Sequence, residues 1–115
     1  MPTGQTMLEQ IARVRALNDR FRITGRGGKT EMSEGVRAMG EPAVAEIVAM
    51  VRAFTDFANA DDPYREHDAG LFYYQGQRIF FKITYHDPTF ENPSSDPSNP
   101  KITVRVLTVT LPAEY

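Results

Sequence analysis

The chain has 115 residues, 41 % hydrophobic and 24 % charged, with a formal net charge of −2 and no cysteine. That length and mixture fit one domain with its own core. The lack of cysteine excludes disulfides, thiolate metal sites and cysteine nucleophiles. The mild charge excludes a bulk nucleic-acid mimic and a strongly basic nonspecific binder.

No apolar run approaches the roughly 18 residues of a membrane span. The opening MPTGQTMLEQ lacks the basic-then-apolar pattern of a leader. A cytoplasmic protein without membrane contact is therefore expected. Charge is uneven: residues 1–40 balance at +3, residues 41–70 at −5, and residues 71–115 at zero.

Residues 6–22, TMLEQIARVRALNDRFR, read as an amphipathic helix. Met7, Ile11, Val14 and Phe21 form one stripe, flanked by Leu8 and Leu17. Thr6 and Glu9 have capping-box spacing. Residues 23–36 are glycine-rich and predict a loop or short irregular hairpin. Their GGKT resembles a phosphate-binding loop, but that motif needs a glycine where Ile23 stands and should follow a strand. Residues 41–59, EPAVAEIVAMVRAFTDFAN, are the clearest helix, with Pro42 suited to its first turn. Val44, Ile47, Val48, Val51, Phe54 and Phe57 repeat at helical spacing, which marks the central core element.

The last third predicts strands. LFYY (71–74), a Gln75-Gly76 turn and QRIFFKITY (77–85) form a hairpin whose opposed residue numbers sum to about 151. KITVRVLTVTL (101–111) is a third strand whose apolar phase shifts at Leu107. A bulge, or burial on both faces, would explain that shift. The proline-rich join, residues 86–100, is a long irregular loop with a claim to binding. The expected fold is α+β: one domain over 1–115, helical over about 6–59 and β-rich over about 70–111. Two helices cover a three- or four-stranded antiparallel sheet.

Chemistry concentrates in DDPYREHDAG (61–70). Its His67-Asp68 is followed nineteen residues later by His86-Asp87, and these are the chain's two histidines. Hairpin geometry brings the two pairs toward one end of the hairpin. A divalent metal could draw on His67, His86, Glu66, Asp68 and Asp87, but no ligand-spacing motif matches. A carboxylate-oriented histidine could move protons, but a nucleophile is not evident. The structural alternative has carboxylates capping turns and pairing with nearby bases. No metal, cofactor or catalytic set is assigned.

These stretches, with SSDPSNPKITVRVLTVTLPAEY (94–115), LNDRFR (17–22) and GRGGK (25–29), resemble an uncharacterised bacterial family, domain of unknown function 3768. The family pattern runs DPYGEHDFG and later KIDYYD. Arg65 and Ala69 stand where it has glycine and phenylalanine, and Thr84 and His86 where it has aspartate and tyrosine. Glu66, His67, Asp68, Asp87 and Arg105 match it. The resemblance carries no activity. It implies a small accessory protein of bacterial genomes and plasmids, for which counter-defence is one expectation.

The leading expectation is a non-enzymatic protein-binding module, an inhibitor of a bacterial nuclease or defence complex (anti-CRISPR or antirestriction type). Its contact residues would be Asp61, Asp62, Tyr64, Glu66, His67, Asp68 and Asp87. One alternative is a small metal-dependent or acid–base enzyme centred on Glu66-His67-Asp68. Another is a nucleic-acid binder using Arg13, Arg15, Arg20, Arg22, Arg26 and Lys29. Phe80 and Tyr74, read as facing away from the helices, suggest a homodimer or a binding face.

Overall fold

The structure is a computed structural model that describes residues 4–58 and 62–115, with side chains from Thr6 onward. In chain order its elements are α1 (Gly4–Thr24), β1 (Gly28–Met32), α2 (Glu34–Arg37), α3 (Glu41–Ala53), β2 (Ala69–Tyr74), β3 (Gln77–His86) and β4 (Val104–Thr110), followed by a 3₁₀ turn at Pro112–Glu114. The strands form one sheet in the order β1-β4-β3-β2. The fold is α+β, and the sheet is mixed: β2-β3-β4 is antiparallel and β1 joins β4 in parallel.

The parallel strand lies where a loop or hairpin was expected. GKTEM has no alternating apolar signal, because four of its five residues are exposed. Gly28 is required there by close packing. A Cβ on it would collide with the Arg105 carbonyl oxygen and come within 2.8 Å of the Phe21 ring. The GGKT stretch is therefore a sheet edge and not a phosphate loop.

The hairpin register is as expected: Tyr74 pairs with Gln77 and Ala69 with Lys82. Gln75 and Gly76, at φ 49° and 81°, make its tight turn. Gly70, Phe72 and Tyr74 share one sheet face with Ile79, Phe81 and Ile83 of β3 and with Leu107 and Val109 of β4. This face packs on Phe21, Val36, Ile47, Val51 and Phe57 to form the core. Each large side chain so buried contributes roughly 1.5–3 kcal/mol.

One detail differs from the sequence reading. Tyr74 is buried on the helix side and donates its hydroxyl hydrogen to Glu46, so it does not share Phe80's outer face. Of the two explanations for the phase shift in β4, burial on both faces holds and a bulge does not, since pairing with β3 is continuous from Val104 to Thr110. Arg105 occupies an inward position, and Val106 and Thr110 are buried on the other face.

Both helices also differ in extent. α1 begins at Gly4, which puts Thr6 inside it rather than at a cap. Met7 and Leu8 are exposed, while Val14, Asn18 and Phe21 are buried. α3 stops at Ala53, and Phe54 takes an extended backbone. Thr55 and Asp56 are weak helix formers. The break lets Phe54 meet Phe57 and Phe81 edge-on, at centroid distances of 4.9 and 5.1 Å.

Candidate functional site

Two polar interruptions of apolar patterns organise the site. Asn18 falls on the apolar stripe of α1, and Arg105 falls on the inward face of β4. A polar side chain at either place is costly unless bonded. They bond each other: Arg105 Nε donates to Asn18 Oδ1 at 2.7 Å. The Asn18 amide donates to the Glu66 carbonyl oxygen at 3.0 Å and to the Tyr85 hydroxyl oxygen at 2.8 Å. Tyr85 donates to Glu66 Oε1 at 2.9 Å. Arg105 Nη2 donates to the Pro97 carbonyl oxygen at 2.6 Å, and its guanidinium lies over the Tyr85 ring. Helix, sheet, proline-rich loop and the 62–68 segment thus meet in one connected network.

This setting pushes the Tyr85 hydroxyl pKa far up, first through burial and then through the bond to Glu66. Burial also pulls the Arg105 pKa down. Both effects disfavour the charged form in a low-dielectric surround.

The 62–68 segment is held by its own side chains. Asp62 Oδ1 accepts the backbone N–H groups of Glu66 and His67 at 2.9 and 3.2 Å. Arg65 and His67 have φ of 56° and 55°, the left-handed region. Glycine is easiest there, and the pattern resembled by this sequence has glycine at the Arg65 position. The turn at His67 sends its ring to the helix side. It stacks flat on Phe57 at 4.0 Å, and Nδ1 donates to Asp19 Oδ1 at 3.0 Å. Asp68 accepts from Lys82 Nζ at 2.5 Å.

The second His-Asp pair does not join this cluster. His86 lies on the outer sheet face with Lys82 and Thr84, bonds Thr84 Oγ1 through Nε2 at 2.8 Å and stacks on Phe90. Asp87 closes its own loop, accepting from the Thr89 hydroxyl at 2.7 Å and the Thr89 N–H at 3.0 Å. Those bonds lower its pKa. Strand register placed the pairs at one end of the hairpin. The turn at His67 put the two imidazoles on different partners. Among the described residues no group of three His, Asp or Glu side chains is arranged to hold a metal.

Of the remaining expected contact residues, Tyr64 is 71 % exposed. Asp61 lies outside the described residues. The basic residues have different settings. Arg22 is buried: it donates to the Val51 and Arg52 carbonyls that end α3 and pairs with Asp19, so it is not available to a phosphate. Arg15 donates to the Arg65 carbonyl. Lys29 sits over the Phe90 ring on the outer face. Arg13, Arg20 and Arg26 are exposed. Asn18, Asp19 and Tyr85 were not singled out from sequence. The signal for Asn18 was present: position 18 continues the stripe of 11, 14 and 21.

The proline-rich loop is built from local side-chain turns. Asp96 accepts from the Ser98 hydroxyl and N–H, which lowers its pKa. Ser94 and Thr103 join hydroxyls at 2.7 Å. Beside the loop lies a groove of about 570 Å³, lined by Pro63, Tyr64, Phe80, Pro97 and Tyr115, with Asp68 and Lys82 also on its wall.

The fold and site define a small α+β protein in which an acidic-histidine turn ties helix, sheet and loop together. The chain matches the model of the family described as "Protein of unknown function (DUF3768)" over residues 32–114, and it belongs to that family. The matched span includes the 62–68 turn, β3 and Arg105, and stops short of LNDRFR and GRGGK. No curated protein and no solved structure matches it. No helix among the described residues is long and apolar enough to cross a membrane.

Proposed function

We propose that the protein is a non-enzymatic protein-binding module whose contact face is the Tyr64 groove. One observation carries this reading. Glu66, His67 and Asp68 are each bonded into the fold, while the tyrosines and prolines beside them face outward. Tyr64 and Tyr115 are 71 % and 67 % exposed. Such aromatic side chains, backed by a rigid wall, are the usual energetic centres of interfaces. Asp62, Glu66 and Asp68 are occupied internally, so the groove supports the reading better than an acidic edge does. The bacterial mobile-element company implied by the resemblance makes a nuclease or defence complex the first partner class to try.

The test is a photocrosslinking residue placed at Tyr64 in the producing cell. A single protein adduct that disappears when Tyr115→Ala is added supports the module. Adducts unchanged by Tyr115→Ala, or none, contradict it.

A second reading rests on the Asp19–His67 pair. A carboxylate holding one imidazole nitrogen is the arrangement of an acid–base histidine. A His67→Gln variant that remains folded and at wild-type abundance in the cell yet abolishes the protein's effect, with binding to its partner intact, favours this reading over binding.

A further inference from the structure

The two edges of the sheet are built differently. The β1 edge carries Lys29 and Glu31 on its exposed residues. Such charges deter strand addition. The β2 edge, AGLFYY, has no charge, no proline and no bulge over six residues.

Its hydrogen-bonding phase follows from one bond. The Ile83 N–H donates to the Asp68 carbonyl oxygen at 2.6 Å. Residues 68 and 83 are therefore a hydrogen-bonded pair, and such pairs alternate along an antiparallel ladder. With the observed register, Gly70, Phe72 and Tyr74 bond toward β3. Ala69, Leu71 and Tyr73 direct their N–H and C=O groups away from it. Among the described residues these groups have no main-chain partner outside the strand ladder. Leu71 and Tyr73 also present exposed side chains, at 40 % and 63 %, whereas Ala69 is 9 % exposed, so the open part of the edge is Leu71–Tyr73.

We propose that this edge pairs antiparallel with the same edge of a second copy, about a two-fold axis at Leu71. Three features fit a second copy. The outward groups are those of residues 69, 71 and 73, which is a symmetric set about Leu71. Pairing Leu71 with Leu71 and Ala69 with Tyr73 satisfies all of them. Side-chain sizes are complementary in that register, since Ala69 opposes Tyr73 on the outer face and Gly70 opposes Phe72 on the helix side. The strand carries no charge, so self-pairing brings no like charges into opposition.

A six-residue strand is about 20 Å long, and pairing along it buries less than the roughly 1,200 Å² of a standard interface, so the dimer is a weak one that forms at high protein concentration. The inference does not rest on the groove reading. The two share Ala69, but the edge is probed at Leu71 and Tyr73 and the groove at Tyr64 and Tyr115.

The chain has no cysteine, so a single introduced thiol reports cleanly. Opposed residues of a hydrogen-bonded pair have Cα atoms about 5.5 Å apart, within disulfide range. Under mild oxidation at tens of micromolar (on the scale set by the interface size), Leu71→Cys is expected to form a species of twice the 13.0 kDa chain mass. It should do so at least about tenfold faster than Met50→Cys, an exposed α3 position, because association raises the local thiol concentration. Adding Tyr73→Lys should remove that advantage. The proposal is overturned if Leu71→Cys couples no faster than Met50→Cys. It is also overturned if Tyr73→Lys leaves the rate unchanged, or if the unmodified protein still sediments as a monomer at a concentration on the order of 500 µM, where even a weak interface of this size associates.

Discussion

The chain contains the dipeptide His-Asp twice, and the two copies are used in different ways. His67-Asp68 sits at a junction: its imidazole is stacked on Phe57 and bonded to Asp19 of α1, and its carboxylate is bonded to Lys82 of β3. His86-Asp87 sits where β3 runs into a surface loop; its backbone pairs with Val104, but its side chains bond and stack within five positions, on Thr84, Thr89, Phe90 and Asn92. The difference lies in backbone and surroundings. A left-handed turn at His67 aims its ring across the fold, while His86 continues a strand and keeps its side chain on the outer face. Long-range bonds hold elements together; local bonds shape only their own turn.

The largest expected effect lies at the centre of the long-range network. Arg105→Ala removes a buried guanidinium and leaves Asn18 and the Pro97 carbonyl short of partners. It should cost about 3 kcal/mol in urea unfolding. A loss under about 1 kcal/mol would mean that the network is not a main support.

Tyr85→Phe should cost about 1–2 kcal/mol at neutral pH by deleting one bonded hydroxyl. It also predicts a pH effect. The folded Tyr85 pKa is raised above the ordinary 10.0, so its contribution is complete below about that pH. Above it, the unfolded tyrosine ionises while the folded one stays protonated, and stability falls as pH rises. Tyr85→Phe should flatten that alkaline loss in a pH series of unfolding midpoints.

Arg65→Gly acts in the opposite direction. It relieves a left-handed non-glycine residue in the tightly bonded turn, and the Arg15 bond to its carbonyl can persist. A gain of up to about 1 kcal/mol is expected, read by the same unfolding titration. The smallest effect belongs to the chain end. Glu114 caps the first turn of α2 by accepting from the Ser33 hydroxyl and the Gly35 N–H, and its pKa is lowered by those bonds. The contribution is present above the ordinary carboxylate pKa and is lost as pH falls through the lowered value. Glu114→Gln should make thermal stability less sensitive to pH on the acid side.

Much of this was legible in the residues. The hairpin register followed from a two-residue turn and strand alternation, because side-chain period and turn length together leave little choice. The α3 stripe was equally plain from Val44 to Val51. What escaped had physical reasons. β1 is an exposed edge strand, so burial writes no alternation into GKTEM. Its place is fixed by pairing with a segment about 77 residues away. The end of α3 was set by an aromatic cluster that needs Phe81 from β3.

The site was read in part. Glu66, His67 and Asp68 were found as a place, and their roles depended on partners that sequence spacing does not reveal. Asn18 and Arg105 each look like an isolated lapse in an apolar pattern. They explain each other only when helix and strand are packed together. His86 and Asp87 were grouped with His67 because register brought them to the same end. Register fixes the backbone of a strand but not the aim of a residue whose φ is positive.

His67 holds the fold together and His86 does not. Urea unfolding of His67→Ala and His86→Ala, measured side by side, tests it directly. His67→Ala should lose about 1–2 kcal/mol with its stacking and its bond to Asp19, and His86→Ala no more than about 0.5 kcal/mol. Equal losses, or a larger loss for His86→Ala, would contradict the account.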